Sequence, residues 1–84
     1  MKHFASPGFW ACLEKLPANI QELAHENYDL LKANPYHPSL HLKRIGRFWS
    51  VRVGRSYRAL AVDAKGGIVW FWIGTHAEYD TLFG

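Results

Sequence analysis

A run of cations contains the residues of this sequence best suited to chemistry. Positions 35 to 62 hold no acidic residue but six cationic ones. These are Lys43, Arg44, Arg47, Arg52, Arg55 and Arg58. A guanidinium pairs with phosphate in a fixed planar fork, so five arginines among six cations favour a phosphate-bearing partner. If these cations share one surface in the folded chain, they predict a polyanion-binding site, for which we favour RNA. The alternative is a solvated face whose charge is balanced by the acidic helices.

A single histidine near the end of the chain is a second candidate. His76 follows the longest apolar run of the sequence, two residues after Gly74. The end of a strand followed by a glycine can present a side chain from a rigid base. A histidine can accept or deliver a proton near neutral pH. A surface or helix-capping role for His76 is equally compatible with the sequence.

The sequence contains no motif typical of a metal or cofactor site. The spacing of His37 and His41 would suit one helix face, but Pro38 lies between them, and no cysteine or carboxylate is near enough in sequence to complete a zinc site. A glycine-rich phosphate loop and a Ser/His/Asp arrangement are also missing from the sequence. We therefore expect neither a metal nor a small-molecule cofactor.

The chain reads as one domain, residues 1–84, in which two helices precede an antiparallel sheet. Ser6-Pro7 predicts the start of the first helix, Pro17 separates it from the second, and Asn34-Pro35 ends the second. Beyond residue 38 the apolar period changes to two. The alternation of Leu40 and Leu42 with polar residues predicts an approach to the sheet. Three strands follow, at residues 48–53, 57–62 and 68–73.

The turn between the first two of these strands decides which side chains share a face. If its loop is the three residues 54–56, Arg52 lies opposite Arg58 and Val53 opposite Tyr57. Two facing arginines repel each other by roughly 0.2–1 kcal/mol, a cost that an anion between them would offset. A two-residue loop would place the two arginines on opposite faces.

The aromatic residues are assigned mainly to the core. A chain of 84 residues needs its large side chains inside, so Trp10 and Trp49 are predicted there. Strict alternation along the third strand places Trp70 and Trp72 on one face.

The amino-acid composition indicates the cellular compartment of the protein. The single cysteine, Cys12, rules out an intrachain disulfide and favours a reducing environment. An apolar signal region and a membrane-length apolar run are both missing from the sequence, so we expect a cytoplasmic protein without membrane contact.

These features resemble the RelE/ParE superfamily of bacterial toxins from type II toxin–antitoxin modules, from residue 6 over almost all of the chain. The most specific points are Tyr57-Arg58 in the second meander strand and Gly74-Thr75-His76 after the third. The other resembling segments are Leu16-Pro17, Asn34-Pro35, residues 40–46, residues 49–53, Ala59-Leu60 and Ile73. The resemblance implies an α+β fold, a helical hairpin packed on a three- to four-stranded antiparallel sheet.

The resemblance also implies a function. Many members are metal-independent ribonucleases that cut mRNA, often on the ribosome, by attack of a 2′-hydroxyl on the adjacent phosphate. By position, Arg58 would stabilise the transition state, Arg52 would add a basic group from the preceding strand, and His76 would transfer a proton. The implied RNA-binding residues are Lys43, Arg44, Arg47, Arg55 and Tyr79, the last orienting the substrate. The implied protein partner is a cognate antitoxin.

The chain departs from the family pattern at both ends. We expect at most a short edge strand at Met1 to Phe4 and no C-terminal helix of the kind some members have. An acidic general base is not evident, and Glu78 is the nearest acid to His76. Two alternatives to the ribonuclease follow from the same family: a gyrase-poisoning toxin, and a module that only binds RNA or antitoxin. The joint presence of Arg52, Arg58 and His76 favours the ribonuclease.

Overall fold

Five strands and three helices make up the part of the chain that this computed structural model describes, residues 2–83. The strands are β1 (Lys2–Ala5), β2 (Lys43–Ile45), β3 (Phe48–Val53), β4 (Tyr57–Ala64) and β5 (Gly67–Thr75). The helices are α1 (Pro7–Glu14), α2 (Ala18–Ala33) and α3 (His76–Phe83), with a 3₁₀ turn at Pro38–Leu40. Met1, the first residue of the predicted edge strand, lies outside the described residues, as does Gly84.

The sheet is larger than predicted, although the α+β class is confirmed. Its strand order is β1-β5-β4-β3-β2, with β1 parallel to β5 and the other pairs antiparallel. The N-terminal strand is therefore present and pairs with β5. At the opposite edge, β2 begins only at Lys43. The alternation of Leu40 and Leu42 does not mark a strand, because Leu40 is buried in the 3₁₀ turn and His41 has a left-handed backbone with φ 47°.

The predicted helix boundaries are confirmed. Ser6 caps α1, its hydroxyl accepting a hydrogen bond from the Phe9 N–H at 3.3 Å, and Pro7 occupies the first turn. α2 begins directly after Pro17 and ends before Asn34-Pro35. In residues 2–83, no helix has the length and apolar character needed to cross a membrane.

The two faces of the sheet carry different helices. α1 and α2 cover the face that presents Val51, Val53 and Ala59, and the main core forms between them. The residues that alternate with these, including Arg52 and Arg58, point to the other face. That second face is covered by α3 and is called the α3 face below.

A β-bulge corrects the prediction for two tryptophans. Leu60 on β4 pairs with Trp72, but its neighbour Ala61 pairs with Trp70, so the register shifts between them. Leu60 and Ala61 point to opposite faces, and cross-strand partners share a face. Trp70 therefore lies in the main core and Trp72 on the α3 face. Simple alternation fails here because the extra residue, Phe71, reverses the side chains that follow it.

The prediction that Trp10 lies in the core is also wrong. It is 42% exposed rather than buried, because Phe9 and Leu13 on the same helix fill the space against the sheet. Trp49 is half-buried, packing against the main core as predicted, while its Nε1 donates a hydrogen bond to Asp63 at 2.9 Å.

The expectation that no C-terminal helix follows the last strand is wrong. α3 begins with a capping box, in which the Thr75 hydroxyl accepts from the Glu78 N–H at 3.1 Å. The Glu78 carboxylate accepts in return from the Thr75 N–H at 2.9 Å and from its hydroxyl at 3.0 Å. The hydrogen bond from the Thr75 backbone is the main cause that lowers the pKa of Glu78 below its ordinary value. Glu78, the nearest acid to His76, is thus engaged in starting α3.

Thr75→Ala should loosen α3, because the N-terminal N–H groups of the helix lose their side-chain acceptor. Loss of a Ser/Thr cap typically lowers the free energy of unfolding by about 1 kcal/mol. Urea denaturation of the purified chain measures this. Thr75→Ser keeps the hydroxyl and is the matched control, and an equal loss in both variants would contradict the capping role.

Acid should loosen α3 in the same way. Because folding lowers the pKa of Glu78, the stabilisation is present above the unfolded pKa of about 4.3 and is lost as pH falls through the folded pKa. The Thr75 amide resonance, followed by NMR from pH 6 downward, reports the loss. In Glu78→Gln the hydrogen bonds can persist without the charge, so the transition at Thr75 should disappear.

Candidate functional site

A row of residues across the sheet forms the base of the candidate site. Arg52 on β3 lies directly opposite Arg58 on β4, which pairs in turn with Gly74 on β5. The predicted three-residue turn and the facing arginines are therefore confirmed. Adjacent strands are about 4.8 Å apart, so the Arg52 and Arg58 side chains leave the sheet from neighbouring positions on the α3 face.

Arg58 contacts α3, and two of its hydrogen-bond donors have no partner in the described chain. Its guanidinium carbon lies 5.1 Å from the centre of the Tyr79 ring, in a cation–π contact. Its Nε and Nη1 atoms are buried, and neither has a hydrogen-bond partner within residues 2–83. A buried donor without an acceptor costs about 1–3 kcal/mol, more when it is charged. An anion that reached these two donors would remove that cost.

His76 is the first residue of α3, so it is part of a helix and not of a loop. Its backbone N–H donates to the Ser56 carbonyl at 2.7 Å, which ties α3 to the β3–β4 turn. Its Nδ1 lies 3.1 Å from a carboxylate oxygen of Asp80, one helical turn later. A carboxylate accepts only from a protonated Nδ1, which leaves Nε2 available to a ligand. The side chain of His76 is 49% exposed, so a ligand can reach it.

Tyr79 joins these two residues. Its buried ring contacts the Arg58 guanidinium and lies 6.0 Å, centre to centre, from the His76 ring. Phe83 packs on Tyr79 at 4.9 Å and fixes the ring from the other side. The structure thus brings Arg58, His76 and Tyr79 together, because the guanidinium and the imidazole both lie next to the Tyr79 ring.

Arg52 is directed away from this group. Its Nε donates to the Gly54 carbonyl at 3.1 Å, and its Nη1 lies 3.4 Å from Nε2 of His41. Arg55 lies nearby on the exposed β3–β4 turn. These contacts hold the Arg52 guanidinium at the edge of the sheet, beside the β3–β4 turn.

The cations nearest β2 are divided between the two faces. Lys43 pairs with Ser50 and therefore points to the α3 face, where Arg47 lies 5.5 Å from the Phe48 ring. Arg44 pairs with Trp49 and points to the other face. The six cations of the run therefore do not form a single patch.

Arg44 is engaged on its own face. It forms an ion pair with Asp63 at 2.5 Å and lies over the Trp49 ring at 4.8 Å. Hydrogen bonds from Arg44 and then from Trp49 lower the pKa of the Asp63 carboxyl. A phosphate would have to compete with this carboxylate for Arg44.

The capping role of Thr75 and Glu78 and the pairing of Asp80 with His76 were not predicted from the sequence. Thr75 and Glu78 have the Thr-x-x-Glu spacing of a capping box, a signal that could have located α3. Asp80 follows His76 by four residues, the spacing of side-chain pairs on one helix face, but it becomes informative only once α3 is recognised. Within residues 2–83, no three His, Cys, Asp or Glu side chains converge as a metal site would require.

Comparison with solved structures confirms the fold. A chain of the RelB–RelE antitoxin–toxin complex from Methanococcus jannaschii aligns with a TM-score of 0.74 at 16% identity, covering 96% of this chain and 99% of that one. The YoeB/ParE toxin from Agrobacterium tumefaciens gives 0.68 at 16% identity, covering 90% and 99%. A copper-bound mutant toxin from Helicobacter pylori gives 0.63 at 14% identity, covering 93% and 97%.

Sequence comparison identifies the family. No curated protein is significantly similar to the chain in sequence. Residues 18–81, however, match the family model described as the ParE-like toxin domain, which spans well over half of the chain. The chain therefore belongs to the ParE-like toxin domain family and is a toxin of the RelE/ParE superfamily.

Proposed function

We propose that this toxin is a metal-independent endoribonuclease that cleaves mRNA and is inhibited by a cognate antitoxin. The observation that supports this most strongly is Arg58, whose buried Nε and Nη1 donors lack an acceptor within the described chain. The Tyr79 ring that contacts this cation also lies next to the half-exposed His76. A cation with unpaired donors and a proton-transfer group are what phosphodiester cleavage by an internal nucleophile requires.

In the proposed reaction, the 2′-oxygen of a ribose attacks the adjacent phosphorus and the 5′-oxygen of the next nucleotide leaves. The Arg58 guanidinium donates to the non-bridging oxygens, whose negative charge grows in the transition state. Nε2 of His76 can accept the 2′-hydroxyl proton or deliver a proton to the departing 5′-oxygen, and solvent water exchanges the proton at the other oxygen. Asp80 holds the imidazole orientation and accepts the hydrogen bond from Nδ1 in either role. The products are a 2′,3′-cyclic phosphate and a 5′-hydroxyl.

The surrounding cations would hold the RNA. Arg52 adds positive charge in the row next to Arg58, and Lys43 and Arg47 lie on the same α3 face. Arg55 is on the adjoining turn. Arg44 would bind a phosphate only after leaving Asp63. Phosphate contacts of this kind weaken as salt rises, because each one releases bound counterions.

The partners follow from the family. One structurally similar protein was solved as a RelB–RelE antitoxin–toxin complex. We infer that this toxin, too, is neutralised by a cognate antitoxin, and that it acts on mRNA in the cytoplasm, on the ribosome or free. Tyr79 would orient the RNA through the ring that Arg58 and His76 share.

Gyrase poisoning is the second candidate, because the matching family model is that of ParE-like toxins. This activity needs the fold but no catalytic histidine. Growth arrest with intact mRNA, unchanged by removal of the His76 side chain, would favour it over the ribonuclease.

His76→Ala should abolish cleavage while leaving the fold intact, because the imidazole is exposed and its backbone hydrogen bond to Ser56 is retained. The measurement is primer extension on mRNA after induction of each variant, with circular dichroism of the purified proteins. Discrete cleavage sites in the wild type should vanish in the variant. Full activity of a folded His76→Ala protein would remove histidine from the mechanism.

Arg58→Ala should reduce the cleavage rate far more than Arg55→Ala does. Losing one preorganised donor to a developing oxyanion costs roughly a factor of 10²–10³ in rate. Arg55 lies on the turn and would affect binding more than the rate. Single-turnover cleavage of a short RNA at saturating protein separates the two effects, and equal losses of rate would contradict the assignment of Arg58.

A further inference from the structure

A second cationic site lies on the other side of the β3–β4 turn from His76. It is an open cleft of ≈ 450 Å³, within the range of ligand-sized pockets. Arg52 and Arg55 provide its charge, His41 adds an imidazole, and Leu23 and Asn27 of α2 complete the lining. This group is called the His41 cleft below. Its lining, taken from residues 2–83, includes no carboxylate.

The cleft is built around an oriented guanidinium. The Gly54 carbonyl accepts from Arg52 Nε, and His41 Nε2 lies 3.4 Å from Arg52 Nη1. Among the hydrogen bonds formed within residues 2–83, none uses Nη2 of Arg52. The guanidinium is therefore held in place by two contacts with donor capacity left for a ligand.

His41 supplies a further donor. Arg52 can donate to its Nε2 only when that nitrogen carries no proton, which places the imidazole proton on Nδ1. His41 also adopts a left-handed backbone, φ 47° and ψ 44°, directly after the 3₁₀ turn. Histidine, like asparagine, is one of the non-glycine residues that adopt this conformation most often.

The α2 wall of the cleft is connected to β3 and to the β3–β4 turn. The Asn27 amide donates to the Arg52 carbonyl at 3.4 Å and ties α2 to β3. Gly54 has φ +64°, and a Cβ at this position would come within 2.8 Å of the Leu23 side chain. The turn that carries Arg55 is therefore seated closely against α2.

The position of the cleft indicates its ligand. Arg52 is the cross-strand neighbour of Arg58, and the turn residue Ser56 accepts the backbone hydrogen bond of His76. A chain that places one phosphate at Arg58 and His76 can therefore continue over the β3–β4 turn into the His41 cleft. Resting on the ribonuclease function proposed above, we propose that the His41 cleft binds a second phosphodiester of the same RNA strand, next to the one that is cleaved.

The test measures binding of a trinucleotide with two phosphodiesters, made uncleavable by 2′-deoxy sugars, by fluorescence anisotropy at several salt concentrations. Arg55→Ala and His41→Asn should each weaken binding roughly tenfold, as expected for losing one charge-assisted hydrogen bond. The slope of log affinity against log salt should also fall by about 0.7 in Arg55→Ala, the value for one phosphate contact on a single strand. Asparagine tolerates the left-handed backbone, so His41→Asn should keep its fold, as circular dichroism will show.

Lys65→Ala is the matched control, because it removes one exposed cation from the β4–β5 turn at the opposite end of the hairpin. Its binding should equal that of the wild type. Wild-type affinity in both cleft variants, with binding lost in Arg58→Ala, would overturn the second phosphate site and leave the ribonuclease proposal standing.

Weakened binding in the cleft variants, with Arg58→Ala unchanged, would support the cleft as a phosphate site and contradict the proposed reaction centre. If the trinucleotide does not bind and an acidic peptide binds in its place, losing affinity in Arg55→Ala, the cleft is a protein-binding site and the RNA assignment is overturned.

Discussion

The contact between the Arg58 guanidinium and the Tyr79 ring holds the candidate site together. It joins the middle of the sheet to the C-terminal helix, and it keeps a permanent charge in a place where two of its donors find no acceptor in the described chain. Cation–π attraction compensates for part of the lost hydration without using the hydrogen-bonding capacity of the guanidinium. Arg58 is therefore stabilised in the fold while two of its donors stay unpaired within the described chain.

The junction between β5 and α3 gives this contact its geometry. Gly74 lies at the end of the Arg52–Arg58 row, and a Cβ there would come within 2.5 Å of Trp72 and 2.9 Å of the Glu78 carboxylate. The strand can thus pass directly into the capping box without an intervening loop. As a result, His76 and Tyr79 take their positions from a helix that begins at the very end of the strand.

Positive charge is distributed by the pleat of the sheet. Neighbouring residues of β2 point to opposite faces, so Lys43 reaches the α3 face while Arg44 meets Asp63 on the other. Arg52 and Arg58 share a face, yet the Arg52 side chain bends toward His41 at the sheet edge. Two separate cationic sites result, one at Arg58 and His76 and one in the His41 cleft, with the β3–β4 turn between them.

Elements with local signals could be predicted from the sequence. Ser6-Pro7, Pro17 and Asn34-Pro35 set the helix boundaries through backbone sterics and capping. The sequence left two lengths open for the turn after β3, and the strand register shows the three-residue turn that pairs Arg52 with Arg58. The Thr75-x-x-Glu78 capping box was just as local, so α3 could have been predicted. The candidate residues Arg58 and His76 were also identifiable, since their chemistry depends on residue type.

The grouping of these residues depends on the tertiary structure. The bulge at Phe71 reversed the expected face of Trp72, because a single extra residue changes the alternation of all that follow. The pairing of Arg44 with Asp63 and the approach of His41 to Arg52 join residues 19 and 11 positions apart. Contacts over such distances depend on the register of neighbouring strands and on the packing of helices against them, which no local pattern records.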